Sequence, residues 1–134
     1  MQPEGPLAVV RAWLDCANRQ DGDRLLELSE PSIELIGPRG SGRGHQLLRD
    51  WLGRAGLSVE TQRVFARGDV VVVAQHGVWH SLESGKVTDE RDLACLFRVD
   101  GQRVVQFARY DSLDEAMRVA GFNDLDEVPG VGER

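Results

Sequence analysis

The chain has 134 residues, 41% of them hydrophobic and 28% charged, with a formal net charge of -6 and a pI near 5.0. That length suits one domain around a single core, the acidic balance with dispersed basic residues argues against nucleic acid as a partner, and no apolar run nears the roughly 20 residues of a membrane span. Met1–Glu4 does not look like the charged lead of a signal peptide, so cytoplasmic residence is the default expectation.

Val10, Trp13, Leu14 and Ala17 follow the i, i+3, i+4, i+7 spacing of an amphipathic helix, which predicts a helix over 7–19, its apolar face widened by Val9 and Cys16. Asp21-Gly22-Asp23 reads as a turn, with Asp23 able to cap a short second helix carrying Leu25, Leu26 and Leu28 before Pro31 ends it. Residues 32–37 alternate, through Ile33 and Leu35, as a first strand. The glycine-rich stretch Gly37-Pro-Arg-Gly-Ser-Gly-Arg-Gly44 costs too much backbone entropy for regular structure and reads as a turn. It feeds a helix from His45 whose apolar face is Leu47, Leu48, Trp51 and Leu52, ended by Gly53 and Gly56.

From Leu57 the hydrophobic period drops from about 3.6 to about two. Strands are expected over 57–67, 70–82, 87–99 and 103–111, with reversals at Gly68-Asp69, Ser84-Gly85 and Asp100-Gly101. Long strands joined by tight turns describe an antiparallel meander. Ser112-Leu-Asp-Glu115 then forms a capping box for a helix with Leu113, Ala116, Met117 and Ala120 on one face and Gly121 at its end. Residues 123–134 form an acidic tail with little to bury, and its last few positions are expected to be mobile.

Strand alternation sorts the side chains. One face gathers Val71, Val73, Gln75, Gly77 and Trp79 with Asp89, Arg91, Leu93, Cys95 and Phe97, and with Val105, Phe107, Arg109 and Asp111. Its bulky members suit packing against the helices. The opposite face keeps Val70, Val72, Ala74, Val78, Leu96 and Val104 and is too apolar to be wet. A second copy of the sheet, giving a homodimer through the outer face, is the expected cover, with a helical or tail cover as the alternative.

These elements resemble, from about Leu7 to Phe122, the nuclear transport factor 2-like superfamily in its SnoaL-like branch. The residues that carry the resemblance are Gly44-His-Gln-Leu-Leu-Arg-Asp-Trp51, Gly68-Asp69-Val70-Val-Val-Val73, Asp100-Gly101, and Tyr110-Asp-Ser-Leu-Asp-Glu-Ala-Met117 with Ala120-Gly121-Phe122. The resemblance implies an α+β cone, a cystatin-like roll in which a bent antiparallel sheet wraps the N-terminal helices around a pocket. It makes 1–122 the domain and 123–134 an appended tail. Members include ketosteroid isomerases, limonene epoxide hydrolases, polyketide cyclases, scytalone dehydratase and pure binding proteins, so the fold leaves function open. Family hydrolases carry an arginine and an aspartate where this chain has Gln75 and Gly77, and a second aspartate where it has Arg109. Isomerases carry a base aspartate near Leu35-Ile36. A general base must reach the substrate proton, and none of these positions supplies one.

Asp89, Arg91, Arg109 and Asp111 share the inward parity on neighbouring strands. The bland reading is a salt-bridge network at the rim of the cup. The functional one is a pair of arginines holding a carboxylate, phosphate or enolate oxygen, with Asp111 as acid/base and Arg109 as oxyanion partner if chemistry occurs. Trp13, Trp51, Gln75, Trp79, Arg91, Phe107 and Arg109 are the expected ligand contacts, although tryptophans at such spacing are more often core. His76, His80 and Tyr110 fall on the outer face. Cys16 and Cys95 read as reduced core residues, and no Cys or His spacing suits a metal. The glycine loop lacks the Lys-Ser/Thr of a phosphate loop. The expectation is thus a cofactor-free protein that binds a small apolar or anionic organic molecule. The alternatives are an isomerase, cyclase or epoxide hydrolase using Asp111 and Arg109, and a protein-interaction module.

Overall fold

The computed structural model describes residues 5–38 and 40–129, with backbone alone at residue 55. Helix α1 (Pro6–Asn18) opens on a proline, whose missing N–H would have had no helical partner there, and buries the apolar stripe expected from its spacing. Helix α2 (Gly22–Glu27) is capped by Asp21 rather than Asp23: the Asp21 carboxylate accepts from the Arg24 backbone N–H at 3.2 Å. Asp21 lies three residues ahead of the amide it serves, the reach of a short capping side chain, and Asp23 is left to pair with Arg49 at 2.9 Å.

Strand β1 (Ser29–Gly37) starts earlier than expected and carries Pro31 inside it. Its pairing slips between Ser29 and Glu34, so the proline sits in a bulge where an absent N–H breaks no ladder bond. The glycine stretch is more ordered than a turn. Strand β2 (Gly40–Arg43) folds back antiparallel on β1, from Glu34 opposite Arg43 to Gly37 opposite Gly40, and ladder bonds offset the entropy cost that argued against it. Helix α3 (His45–Ala55) follows, burying Leu48 and Leu52, and Gly56 ends it in the left-handed conformation.

Strands β3 (Leu57–Arg67), β4 (Val70–His80), β5 (Val87–Asp100) and β6 (Arg103–Tyr110) form the expected antiparallel meander. The sheet as a whole is mixed, in the order β2-β1-β6-β5-β4-β3, because β1 joins β6 in parallel. It curls without closing, and α1 lies across its concave side against β3, β4, β5 and β6.

Val71, Val73, Leu93, Cys95, Phe97 and Phe107 face α1 in the concave core, as the alternation requires. One exception occurs at the start of β6. A register slip between Arg98 and Val99 turns Val104 into the concave core, where Val105 was expected.

Much of the apolar part of the convex face is covered by the chain itself. Helix α4 (Leu113–Ala120) buries Ala116 and packs Leu113, Met117 and Ala120 over Phe65, Val70, Val72, Ala94, Leu96 and Ala108. Part of the apolar surface from which a second copy was inferred (Val70, Val72 and Leu96) is therefore buried within the chain, while Val78 stays half-buried outside that cluster, and Tyr110, assigned to a dimer contact, packs against it. After α4 the chain runs back along β3. Glu127 pairs with Phe65 as a bridge and accepts two hydrogen bonds from Arg63 at 3.0 and 2.9 Å, and the Val128 N–H donates to the Val64 carbonyl at 2.8 Å. The part of the tail expected to be mobile, residues 130–134, lies outside the described residues. Among the described residues no helix is long and apolar enough to cross a membrane.

Candidate functional site

The mouth of the cup holds an open cavity of about 800 Å³. The β1–β2 hairpin forms one wall through Leu35, Ile36 and the backbone around Gly40–Gly42. Helix α3 supplies Leu47, Trp51 and Arg54, an i, i+4, i+7 stripe on a single helix face. Gly42 lies close under this stripe: a Cβ there would meet the end of the Leu47 side chain, which would have to turn aside. Arg91 on β5, Phe107 and Arg109 on β6, and Asp111 just beyond it complete the lining.

Beneath the opening lies an aromatic stack. The Phe107 ring centroid is 5.7 Å from Trp51, 4.9 Å from Trp13 and 5.2 Å from Phe97. Trp51 and Phe107 present this stack to the cavity. Trp13 does not: it is 1% exposed, and its indole N–H donates to the Ser29 hydroxyl at 3.0 Å, which in turn donates to the Leu25 carbonyl at 2.8 Å. An indole whose polar atom is already satisfied within the core is a packing element.

The Asp89–Arg91–Arg109–Asp111 salt-bridge network does not form. Asp89 accepts instead from the Glu90 backbone N–H at 2.9 Å. The cause is strand length: β6 pairs with β5 only as far as Ala94 opposite Tyr110, so Asp89 and Arg91 project past its end. Both arginines turn to Trp79, with their guanidinium carbons 5.1 Å (Arg91) and 5.8 Å (Arg109) from its ring centroid. Trp79 is thus a platform behind the arginines and not part of the cavity wall. Among the described residues Arg54, Arg91 and Arg109 have no carboxylate within 4.0 Å, and Asp111 is the single carboxylate among those lining the cavity.

Gln75 lies deeper, 1% exposed. Its Oε1 accepts the Cys95 thiol at 3.3 Å, while its Nε2 has no partner. Burial pushes the Cys95 thiol up to about 12, partly opposed by the Arg109 charge, so this cysteine is no nucleophile at neutral pH. The three histidines stay out of the cavity. His45 bonds the Ser29 carbonyl at 2.9 Å, His80 approaches the Gly56 carbonyl at 3.3 Å, and His76 meets Asp92 at 2.9 Å and Glu90 at 3.2 Å. No group of three His, Cys, Asp or Glu side chains among the described residues is arranged to hold a metal.

Of the seven expected contacts, Trp51, Arg91, Phe107 and Arg109 meet at the cavity, joined by Asp111, whereas Gln75 and Trp13 lie behind it and Trp79 beside it. Arg54 and the β1–β2 hairpin were not anticipated. The spacing of Arg54 from Leu47 and Trp51 was the available signal.

The SnoaL-like domain family matches residues 10–107. No curated protein matches the chain in sequence. Similar solved structures include an NTF2-like protein from Burkholderia xenovorans LB400, 21% identical over 84% of this chain and 93% of that one, with a TM-score of 0.66. TerC, co-crystallised with polyporic acid, is 16% identical over 87% of this chain and 98% of that one, with a TM-score of 0.69. A putative polyketide cyclase from Xanthomonas campestris pv. campestris is 18% identical over 82% and 92%, with a TM-score of 0.64. At these identities the structures speak for the fold alone, while the domain match covers most of the chain: it belongs to the SnoaL-like domain family.

Proposed function

We propose that this protein binds a small, largely apolar organic acid in the open cavity, with its flat body on Trp51 and Phe107 and its anionic oxygens on the arginines. The observation that carries this reading is the set of Arg54, Arg91 and Arg109 around apolar walls with no carboxylate within 4.0 Å among the described residues. A guanidinium presents paired donors that match a carboxylate or enolate in a plane. A cluster left without internal counter-ions favours an anion from outside. Arg109, half-buried beside Phe107, is the best placed of the three to act where water is partly excluded. The likeness in fold to a protein co-crystallised with polyporic acid is compatible with such a ligand.

One specific observation favours a second reading, a cofactor-independent cyclase or isomerase. Asp111 lines the same cavity as Arg109, so one residue would take a proton while the other holds the developing enolate oxygen. The interaction-module reading is not favoured, because α4 packs over much of the apolar part of the convex face.

Quenching of tryptophan fluorescence by 2-naphthoate and by its methyl ester tests the binding reading. The acid is expected to bind at least about 10-fold more tightly than the ester, with the preference shrinking as salt is added. Equal affinities for acid and ester would overturn it.

A further inference from the structure

Two guanidinium groups of the cavity share one aromatic ring. Arg91 and Arg109 come from different strands, β5 and β6, yet their guanidinium carbons lie over the Trp79 indole at 5.1 and 5.8 Å from its centroid. Trp79 itself lies outside the cavity wall. Among the described residues neither arginine makes a hydrogen bond or an ion pair. The ring is the contact that restrains both.

The register of the sheet explains why this ring is in reach. Gly77 and Trp79 alternate onto the concave face of β4, and Arg91 stands opposite Gly77 on β5. The far edge of the indole, at Cη2, is 3.4 Å from where a Cβ on Gly77 would stand. The ring therefore leans back over the glycine and comes alongside Arg91. Leu57 from β3 and Leu93 from β5 converge on the same point, at 3.3 and 2.8 Å, so the indole's edge is packed in. Arg109, opposite Cys95, reaches the ring from β6.

This arrangement has a chemical consequence. A carboxylate beside an arginine would also hold it, but it would occupy N–H donors and cancel charge. An aromatic face restrains a guanidinium and does neither, which leaves the donors to an anion. Ordering a long side chain before the ligand arrives removes a penalty from binding, on the order of 2- to 10-fold in affinity for each arginine held.

We propose that Trp79 is the positioning residue of the acid site: it holds Arg91 and Arg109 for an anionic oxygen without touching the ligand, and so sets the preference for an acid over its neutral ester. The inference rests on the acid-binding reading and extends it to a residue outside the cavity wall. Because one ring serves both arginines, its removal releases both at once.

The test is calorimetry, which does not depend on the tryptophan signal, with 2-naphthoate and its methyl ester on wild type, Trp79→Leu and Trp79→Phe. Trp79→Leu is expected to weaken the acid by about 5-fold or more, two arginines at the low end of the range above. The same variant should hold the ester within about 2-fold of wild type, since the ester makes no use of the charge. Trp79→Phe keeps an aromatic face and should hold the acid within about 3-fold. Trp79→Met, an adaptable side chain, takes the place of the leucine variant should that one fail to fold. Equal losses of acid and ester assign Trp79 a packing role and overturn the inference. A leucine variant that keeps the wild-type acid preference overturns it too, as does a phenylalanine variant no better than the leucine one. A wild type that binds acid and ester equally overturns it together with the acid-binding reading.

Discussion

Arg109→Ala separates a binding role from a structural one, because the two expected effects differ in size. On the ligand side, the substitution deletes hydrogen bonds to an ionised oxygen, which contribute about 1.5–3 kcal/mol, or roughly 10- to 150-fold in Kd. On the stability side, two small terms oppose each other. Arg109 loses its contact with the Trp79 ring at 5.8 Å, a loss of about 0.5–1 kcal/mol at an exposed site. Arg91 is relieved of a like charge: both guanidinium carbons lie within 5.1 and 5.8 Å of one ring centroid, so they are at most about 11 Å apart. At that distance the repulsion is about 0.4 kcal/mol in bulk water, before screening. The net change in stability is therefore below about 1 kcal/mol, a shift of a few degrees in Tm. Titration with 2-naphthoate and a thermal melt on the same sample measure both quantities. Arg67→Ala is the control: Arg67 stacks on Phe122 at 5.0 Å, bonds the Gly121 carbonyl and approaches Asp126 at 3.5 Å, all on the far side of the sheet. It should lower Tm and leave Kd unchanged. Equal effects of the two substitutions on Kd would refute the reasoning.

Three other perturbations address the frame. Hydrogen bonds donated to the Asp92 and Glu90 carboxylates raise the His76 pKa above its ordinary 6.5, so the stabilisation is fully present below about pH 6.5 and is lost as pH rises through the folded value. Melts from pH 6 to 8 should show wild type falling toward His76→Gln, and parallel curves would remove the linkage. Ser112→Ala deletes the hydroxyl that accepts from the Glu115 N–H at 3.2 Å and should cost about 1 kcal/mol; because α4 covers much of the apolar part of the convex face, dye binding to exposed apolar surface should rise with it. Gly56→Ala forces a left-handed residue and drives a Cβ into the His80 carbonyl oxygen, so a loss of more than about 1 kcal/mol is expected in denaturant melts.

The meander was legible because its signals are local. Alternation over 57–67 and glycines at Gly68, Gly85 and Gly101, all at positive φ, mark strands and reversals without reference to anything distant. Parity followed, and with it the meeting of Phe107 and Arg109 at one cavity. What stayed hidden depends on partners far along the chain. The parallel pairing of β1 with β6 leaves no trace in either strand's own pattern. The apolar face of α4 was evident, but a helix stripe does not name the surface it covers, and so the convex face was assigned to a second copy. The missing salt bridges turn on where β6 stops, a boundary that alternation alone does not fix.

The position of Asp111 bears on whether the cavity holds or transforms its ligand. It is exposed, at the junction where β6 hands over to the Ser112 cap of α4, and among the described residues it forms no ion pair within 4.0 Å. A general base is most effective when burial or a neighbouring charge tunes it and a hydrogen bond aims it. The concave positions where that shielding exists are filled by Gln75, Gly77 and Cys95, and Gly77 leaves room only for Leu93, Leu57 and Trp79 to close over it. Arginines need no such shielding to attract an anion, since their charge is permanent and acts over several ångströms. The arginines and aromatic rings of this cup are thus suited to holding charge and shape, and proton transfer would fall to an exposed carboxylate without an ion-pair partner among the described residues.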